Sequence, residues 1–358
     1  MSPRHPLDDA ILGAVTYAAL FDSPLTLPQV RETLAVPASV TEIAAQLHSS
    51  PWLRAVVAYR GGMVYPVGRH DLPGVRRRRE AITLPRLRGD APAIGFLTGL
   101  PFVRAVAISG SLAHLNTDDG AAAGDLDLFV VTAPGRVWMV TVVALAVARL
   151  RGWRQRLCLN YVVSDDALAV PSPDLFTANQ IAHLRPLAGA TTYRRFLEAN
   201  PFVSAYYPNF EPRSIEAAPP TRGAAARLLA AALTVAAPLL EPLSRALYGW
   251  HLRRQSARWA TRDGVRLDAQ CLKLHTASHR TAVLARYEAA LREARATADA
   301  APASPPAGDP AGGAASPPQD SGPIGRARNG GAAPRVGFTS GENSPPPEPV
   351  ARPFSTTP

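Results

Sequence analysis

The chain has 358 residues, 38 Lys plus Arg against 28 Asp plus Glu, a net charge of +10 and a hydrophobic fraction of 47%. Those values exclude wholesale disorder, suggest about two domains and invite an anionic partner. With only 2 Cys, Cys158 and Cys271, there is no disulfide framework and no Cys/His spacing for structural zinc; the chain reads as a cytoplasmic protein of a reducing compartment.

In chain order, Met1–Asp9 carries no apolar run, so no signal peptide is expected. Ala10–Phe21 is an apolar helical run. Thr26-Leu27-Pro28-Gln29 and Ser39-Val40-Thr41-Glu42 are capping boxes, each ahead of an amphipathic stretch. Two β-like runs, Leu53–Tyr59 and Met63–Val67, flank Arg60-Gly61-Gly62 and predict a hairpin. Three helices and a hairpin make residues 8–70 a winged-helix-like domain. Its recognition helix would be Thr41–Gln46, which leaves nucleic acid open as a partner, although no Arg or Lys lies between Ser39 and Ser50. Arg76-Arg77-Arg78-Arg79 opens a linking helix in 71–99 and is either a solvated face or a phosphate-facing patch.

Residues 100–215 read as an α/β unit: strands at Val103–Ser109, Leu126–Thr132 and Leu157–Ser164, and a helix at Val137–Leu150. Residues 216–297 read as helical. Within them Leu228–Leu240 is uncharged but only 13 residues long and closed by Glu241. It is too short to span a membrane and reads as a core or interfacial helix, so no transmembrane segment is expected. Residues 298–358 form a Pro/Gly-rich tail expected to be disordered, with 14 Pro and 9 Gly from Ala301 on. From Ala301 on, four acids balance four arginines, so the positive charge belongs to the rest of the chain.

The chemistry-bearing segment is Ile108-Ser109-Gly110-Ser111-Leu112-Ala113, a loop, then Gly124-Asp125-Leu126-Asp127-Leu128-Phe129. A Gly-Ser turn opening a helix offers free N–H groups and a hydroxyl to a phosphate. Asp125 and Asp127 alternate on an apolar strand, so both carboxylates share one face and are expected deep within it. Two like charges held side by side call for a hard divalent cation, which would also clamp a triphosphate.

This pattern resembles the nucleotidyltransferase superfamily with its DNA polymerase β-like fold: Gly-Ser, a gap (thirteen residues here), then Asp-apolar-Asp-apolar. The flanking stretches Tyr17–Asp22, Pro101–Ala113, Cys158–Tyr161 and Ala199-Asn200-Pro201 resemble a prokaryotic group of that superfamily with an N-terminal winged-helix-like region. The resemblance implies an α/β (α+β) mixed sheet with flanking helices. It implies a magnesium (Mg2+) or manganese (Mn2+) dependent transfer of a nucleoside monophosphate from a nucleoside triphosphate to a hydroxyl acceptor. Gly110 and Ser111 would bind nucleotide, and Asp125 and Asp127 the metal. The third catalytic position would be Asn160, where the superfamily often has an acid. An amide ligates through oxygen but accepts no proton near neutral pH. The alternative is a catalytically degenerate member acting as a winged-helix DNA-binding or regulatory module.

Several neighbours have blander readings. Asn160 can equally be structural, and Tyr161 reads as core. Asp165 and Asp166 would cap the following helix or, one turn beyond Asn160, stand in for the missing acid. His114 and Asn116 would sit at a solvated helix end. His275 and His279, four apart on Leu272–Leu291, would lie on a helix surface.

Overall fold

The computed structural model describes residues 5–117, 125–215, 224–262, 264–275 and 279–301. The predicted Asp118–Gly124 loop and nearly all of the Pro/Gly-rich tail lie outside these residues. The described chain is a mixed α+β structure with two sheets, and no helix among these residues is long and apolar enough to cross a membrane.

α1 (Pro6–Ala19) begins at a proline, with Asp8 and Asp9 in its positive first turn. β1 (Leu25–Thr26) leads into α2 (Leu27–Glu32), whose capping box forms as expected: the Thr26 amide donates to Gln29 Oε1 at 3.0 Å. α3 (Val40–Ser49) uses the second box, with the Ser39 amide donating to Glu42 Oε2 at 2.7 Å. α4 (Pro51–Val56) corrects the first β-like run, because Leu53–Val56 is helical. Ser50 caps it by accepting from the Leu53 amide at 3.2 Å, and Pro51 supplies the preset first φ. That start signal outweighs the β propensity of the Val residues, and only Val57 onward is extended. β2 (Val57–Arg60) and β3 (Met63–Pro66) form the hairpin over Gly61-Gly62, and β1 adds to β3.

α5 (Leu72–Gly89) carries the arginine run, and its outer arginines are not simply solvated. Arg76 donates to Glu80, to the Pro24 carbonyl and to Gln29, each at 2.7 Å. Arg79 donates to the Phe21 carbonyl at 3.1 Å and to Asn116 at 2.8 Å. These bonds strap α5 to the N-terminal helices and to the start of the large sheet.

α6 (Ala91–Gly99) leads into β4 (Val103–Ile108), then the short α7 (Gly110–Ala113), β5 (Leu126–Thr132), α8 (Val137–Leu150) and β6 (Leu157–Ser164). Next come α9 (Leu175–Ala182), β7 (Arg185–Ala188), α10 (Ala190–Glu198), α11 (Phe202–Tyr206) and α12 (Ala224–Gln255). β8 (Val265–Leu267), β9 (Cys271–Leu274) and α13 (Arg280–Ala300) complete the order. The six-stranded sheet runs β7-β4-β5-β6-β9-β8; β5 and β6 are parallel, joined through α8, and the other pairs are antiparallel. One face buries Val106, Ile108, Leu128, Val130, Leu159 and Val162 beneath α6, α8 and α12. The other buries Ala107, Phe129, Val131 and Val163 beneath α9 and α10. Residues 216–297, read as helical, thus hold two strands. At three and four residues these are too short to show a period of two, and pairing with β6 decides their state.

α13 runs back to the N-terminal helices. Ala298 is buried in one cluster with Ile11, Ile43 and Leu53, and Trp52 Nε1 donates to Asp299 at 2.8 Å.

Candidate functional site

β5 alternates cleanly: Leu126, Leu128 and Val130 enter one core, while Phe129 and Val131 enter the other. Asp127 lies on the second face, half-buried, where that core ends. Asp125 precedes the strand and is exposed, so the expectation of two acids deep in a buried strand is corrected. A tight turn links them, with the Asp127 amide donating to the Asp125 carbonyl at 3.0 Å.

Asn160 reaches this spot because β6 bulges. Asp127 pairs with Cys158, but Phe129 pairs with Tyr161, so Leu159 and Asn160 together oppose Leu128. The extra residue re-aims the strand. Asn160 Nδ2 donates to Asp127 Oδ1 at 2.5 Å, and Cys158 Sγ donates to Asn160 Oδ1 at 2.7 Å. The amide is therefore committed at both ends. Burial, then the Asp127 and Asp125 charges, push the Cys158 thiol up to about 12, which keeps it a donor. Burial first, and Asp125 second, push the Asp127 carboxyl up to about 7. Asp125 is raised by desolvation, with Arg86 and Arg154 opposing. Each carboxyl is thus held above its ordinary range, and a bound cation would offset both the burial and their mutual repulsion.

Gly110 completes this side. Its φ is +65°, and a Cβ there would overlap Asp127 Oδ2 and stand 3.1 Å from Asp127 Cγ. Only glycine lets the β4–α7 turn lie against the carboxylate. The Ser109 amide donates to the Asp127 carbonyl at 2.9 Å, locking the turn to β5. The structure therefore brings together Gly110, Asp127 and Asn160, with Ser111 next on the turn and Asp125 at the strand's mouth.

Among the described residues, no third carboxylate joins them. Asp165 and Asp166 lie at the opposite end of β6: Asp165 pairs with Arg195 at 2.9 Å, and Asp166 accepts from Ser164 Oγ. They do not cap α9 as expected; Asp174 does, accepting from the Thr177 amide at 2.8 Å. Among the described residues, no three His, Cys, Asp or Glu cluster for a metal.

Gly110 and Ser111 also wall a cavity of about 740 Å³, enclosed by residues of α1, α9, α11 and α13. His114 and His183 stack in its wall with ring centroids 4.2 Å apart. His114 is thus part of a cavity rather than a solvated helix end, and Asn116, also lining it, donates to the Phe21 carbonyl at 2.7 Å. The chain's return from α9 into β7 packs against α7, with Arg185 Nε donating to the Ala113 carbonyl at 2.6 Å, and leaves both rings half-buried. His183 Nδ1 lies 2.9 Å from the Asn179 carbonyl, which places its proton there and leaves the lone pair on Nε2. Burial lowers His183 to about 4 and His114 well below the usual range, so both are neutral at physiological pH. Tyr17, Tyr207 and Tyr287 add aromatic wall, and the buried Tyr17 hydroxyl has no hydrogen-bond partner among the described residues. Their numbers, 17 to 287, share no spacing, and only the fold assembles them. His275 follows β9 and is lowered to about 4 by burial, while His279 is the N-cap residue of α13, so the two never share a helix face.

Neither a protein-family model, a curated protein nor a solved structure matches the chain.

Proposed function

We propose that the chain is a nucleotidyltransferase-type enzyme that moves a nucleoside monophosphate from a nucleoside triphosphate to an acceptor hydroxyl. The observation that carries this reading is the two-sided Gly110–Ser111 turn. The acid side of the turn touches Asp127, and the other side opens into the 740 Å³ cavity. A phosphate chain on the acid side and an acceptor in the cavity would meet at one turn. Asp125 and Asp127 fit a hard divalent cation, since each offers oxygen donors and their pairing leaves charge to neutralise. When bound, magnesium would offset the charge of the triphosphate and polarise its phosphoryl oxygens. The Gly110–Ser111 amides and hydroxyl orient the phosphates. The acceptor oxygen bonds to the α-phosphorus as the bond to the bridging oxygen breaks, and pyrophosphate leaves. The acceptor's proton goes to a base of this chain. Asn160 cannot take it, and His183, neutral with Nε2 in no hydrogen bond among the described residues, is the candidate on the cavity side.

Labelled triphosphates with magnesium, and a cell lysate as acceptor pool, test this. Label should enter an acceptor with wild-type protein and not with Asp125→Ala. If no acceptor is labelled and calorimetry detects no triphosphate binding, the enzyme reading falls. Asn160 favours a second reading, a degenerate member that binds nucleotide or DNA without turnover. Triphosphate binding without labelling, or retardation of DNA that weakens with salt, would support it.

A further inference from the structure

We infer that α12 lies on an anionic lipid surface as an interfacial helix, an association independent of any transfer chemistry. Its inner side is spoken for. Ala237 and Leu252 are buried in the sheet core, and Glu241 accepts from the Trp138 and Met139 amides at 3.1 and 2.8 Å, capping α8. The outer side is apolar. Leu228, Val235, Leu239, Leu243, Leu247 and Trp250 recur every three, four or seven residues, which places them on one stripe. All are exposed, Val235 by 83% and Leu239 by 72%. Leu150, at the end of α8 and 85% exposed, lies on the helix that packs against α12. A contiguous apolar stripe of this length is unusual in water.

Charge selects the occupant. From residue 224 to 262 the described acid is Glu241 alone, and it is turned inward. Arg227, Arg245, Arg253, Arg254, Arg258 and Arg262 are exposed, as are Arg149 and Arg151 beside Leu150. None is in an ion pair among the described residues; Arg254 stacks over Trp250 at 4.0 Å. An apolar stripe rimmed by arginines matches acyl chains beneath anionic headgroups. A second copy would set arginine rim against arginine rim, and a nucleic acid would set phosphates against leucines. Pro238 and Pro242 lie inside the helix, and no described helix is long and apolar enough to cross a membrane, so the association proposed is along the surface.

Flotation of the full chain with vesicles is the test. Binding is expected to phosphatidylcholine vesicles containing phosphatidylglycerol and to be much weaker with phosphatidylcholine alone. The double variant Leu239→Asp/Leu243→Asp should weaken it by at least about tenfold. Arg253→Glu/Arg254→Glu should weaken it and flatten its salt dependence. These positions are on the surface, so an unchanged circular dichroism spectrum shows the variants folded. No flotation with anionic vesicles, equal flotation of folded variants, or a dimer abolished by Leu239→Asp in sedimentation would overturn the inference.

Discussion

Asp127 has three neighbours that each constrain it: the Gly110 backbone, the Asn160 amide and Asp125. Gly110→Ala adds left-handed strain and drives a methyl group into the carboxylate, so a loss of about 1–3 kcal/mol is expected in urea unfolding. Triphosphate affinity should fall with it in calorimetry. In metal-free protein, the folded Asp127 holds its proton up to about pH 7, well above its ordinary value. Its contribution to stability is complete at low pH and is lost as pH rises toward 7. Magnesium should therefore raise the melting temperature more above that pH than at about pH 5, and Asp127→Asn should abolish the difference. His183 behaves oppositely. Its folded value of about 4 lies below its ordinary one, so stability is present above about pH 6.5 and lost as pH falls toward 4. Denaturation near pH 7.5 and near pH 5 should show a loss of about 2 kcal/mol in wild type and less in His183→Gln. The Gly-Ser turn and the paired acids were legible in the sequence because each is contiguous. The stacked histidines and the orphaned Tyr17 hydroxyl were not, because residues 17, 114 and 183 meet only through the fold.

Single elements repeat the contrast. Both capping boxes and the strands at 126–132 and 157–164 were readable, since their signals lie within a turn or an alternation. β7, β8 and β9 were not, because pairing partners supply what three or four residues cannot. The bulge in β6 left no mark in composition, yet it brings Asn160 to Asp127. Asn200 shows how one side chain fastens several elements. It accepts from the Val170 amide at 2.8 Å and donates to the Leu168 and Phe196 carbonyls at 3.0 and 2.7 Å, all buried. Asn200→Ala strands those groups, and a loss of about 2–4 kcal/mol in chemical denaturation is expected, with the loop before α9 exchanging amide protons faster.

At the scale of the molecule, the two ends of the described chain share one core. Ala298 of α13 is buried among residues of α1, α3 and α4, and Arg295 pairs with Asp9 at 2.9 Å. Ala298→Asp buries a carboxylate there and should cost about 2–4 kcal/mol, read as a lower melting temperature. The N-terminal helices also contribute Tyr17 to the cavity wall, so such damage should reach ligand binding as well as stability. This closure has a consequence for synthesis. A ribosome releases α1–α4 long before α13, so the first-made module waits with an unfinished apolar surface until almost 300 residues have emerged. Nascent chains stalled before residue 280 should therefore stay sensitive to protease across residues 6–66, and release of α13 should confer protection in a single late step.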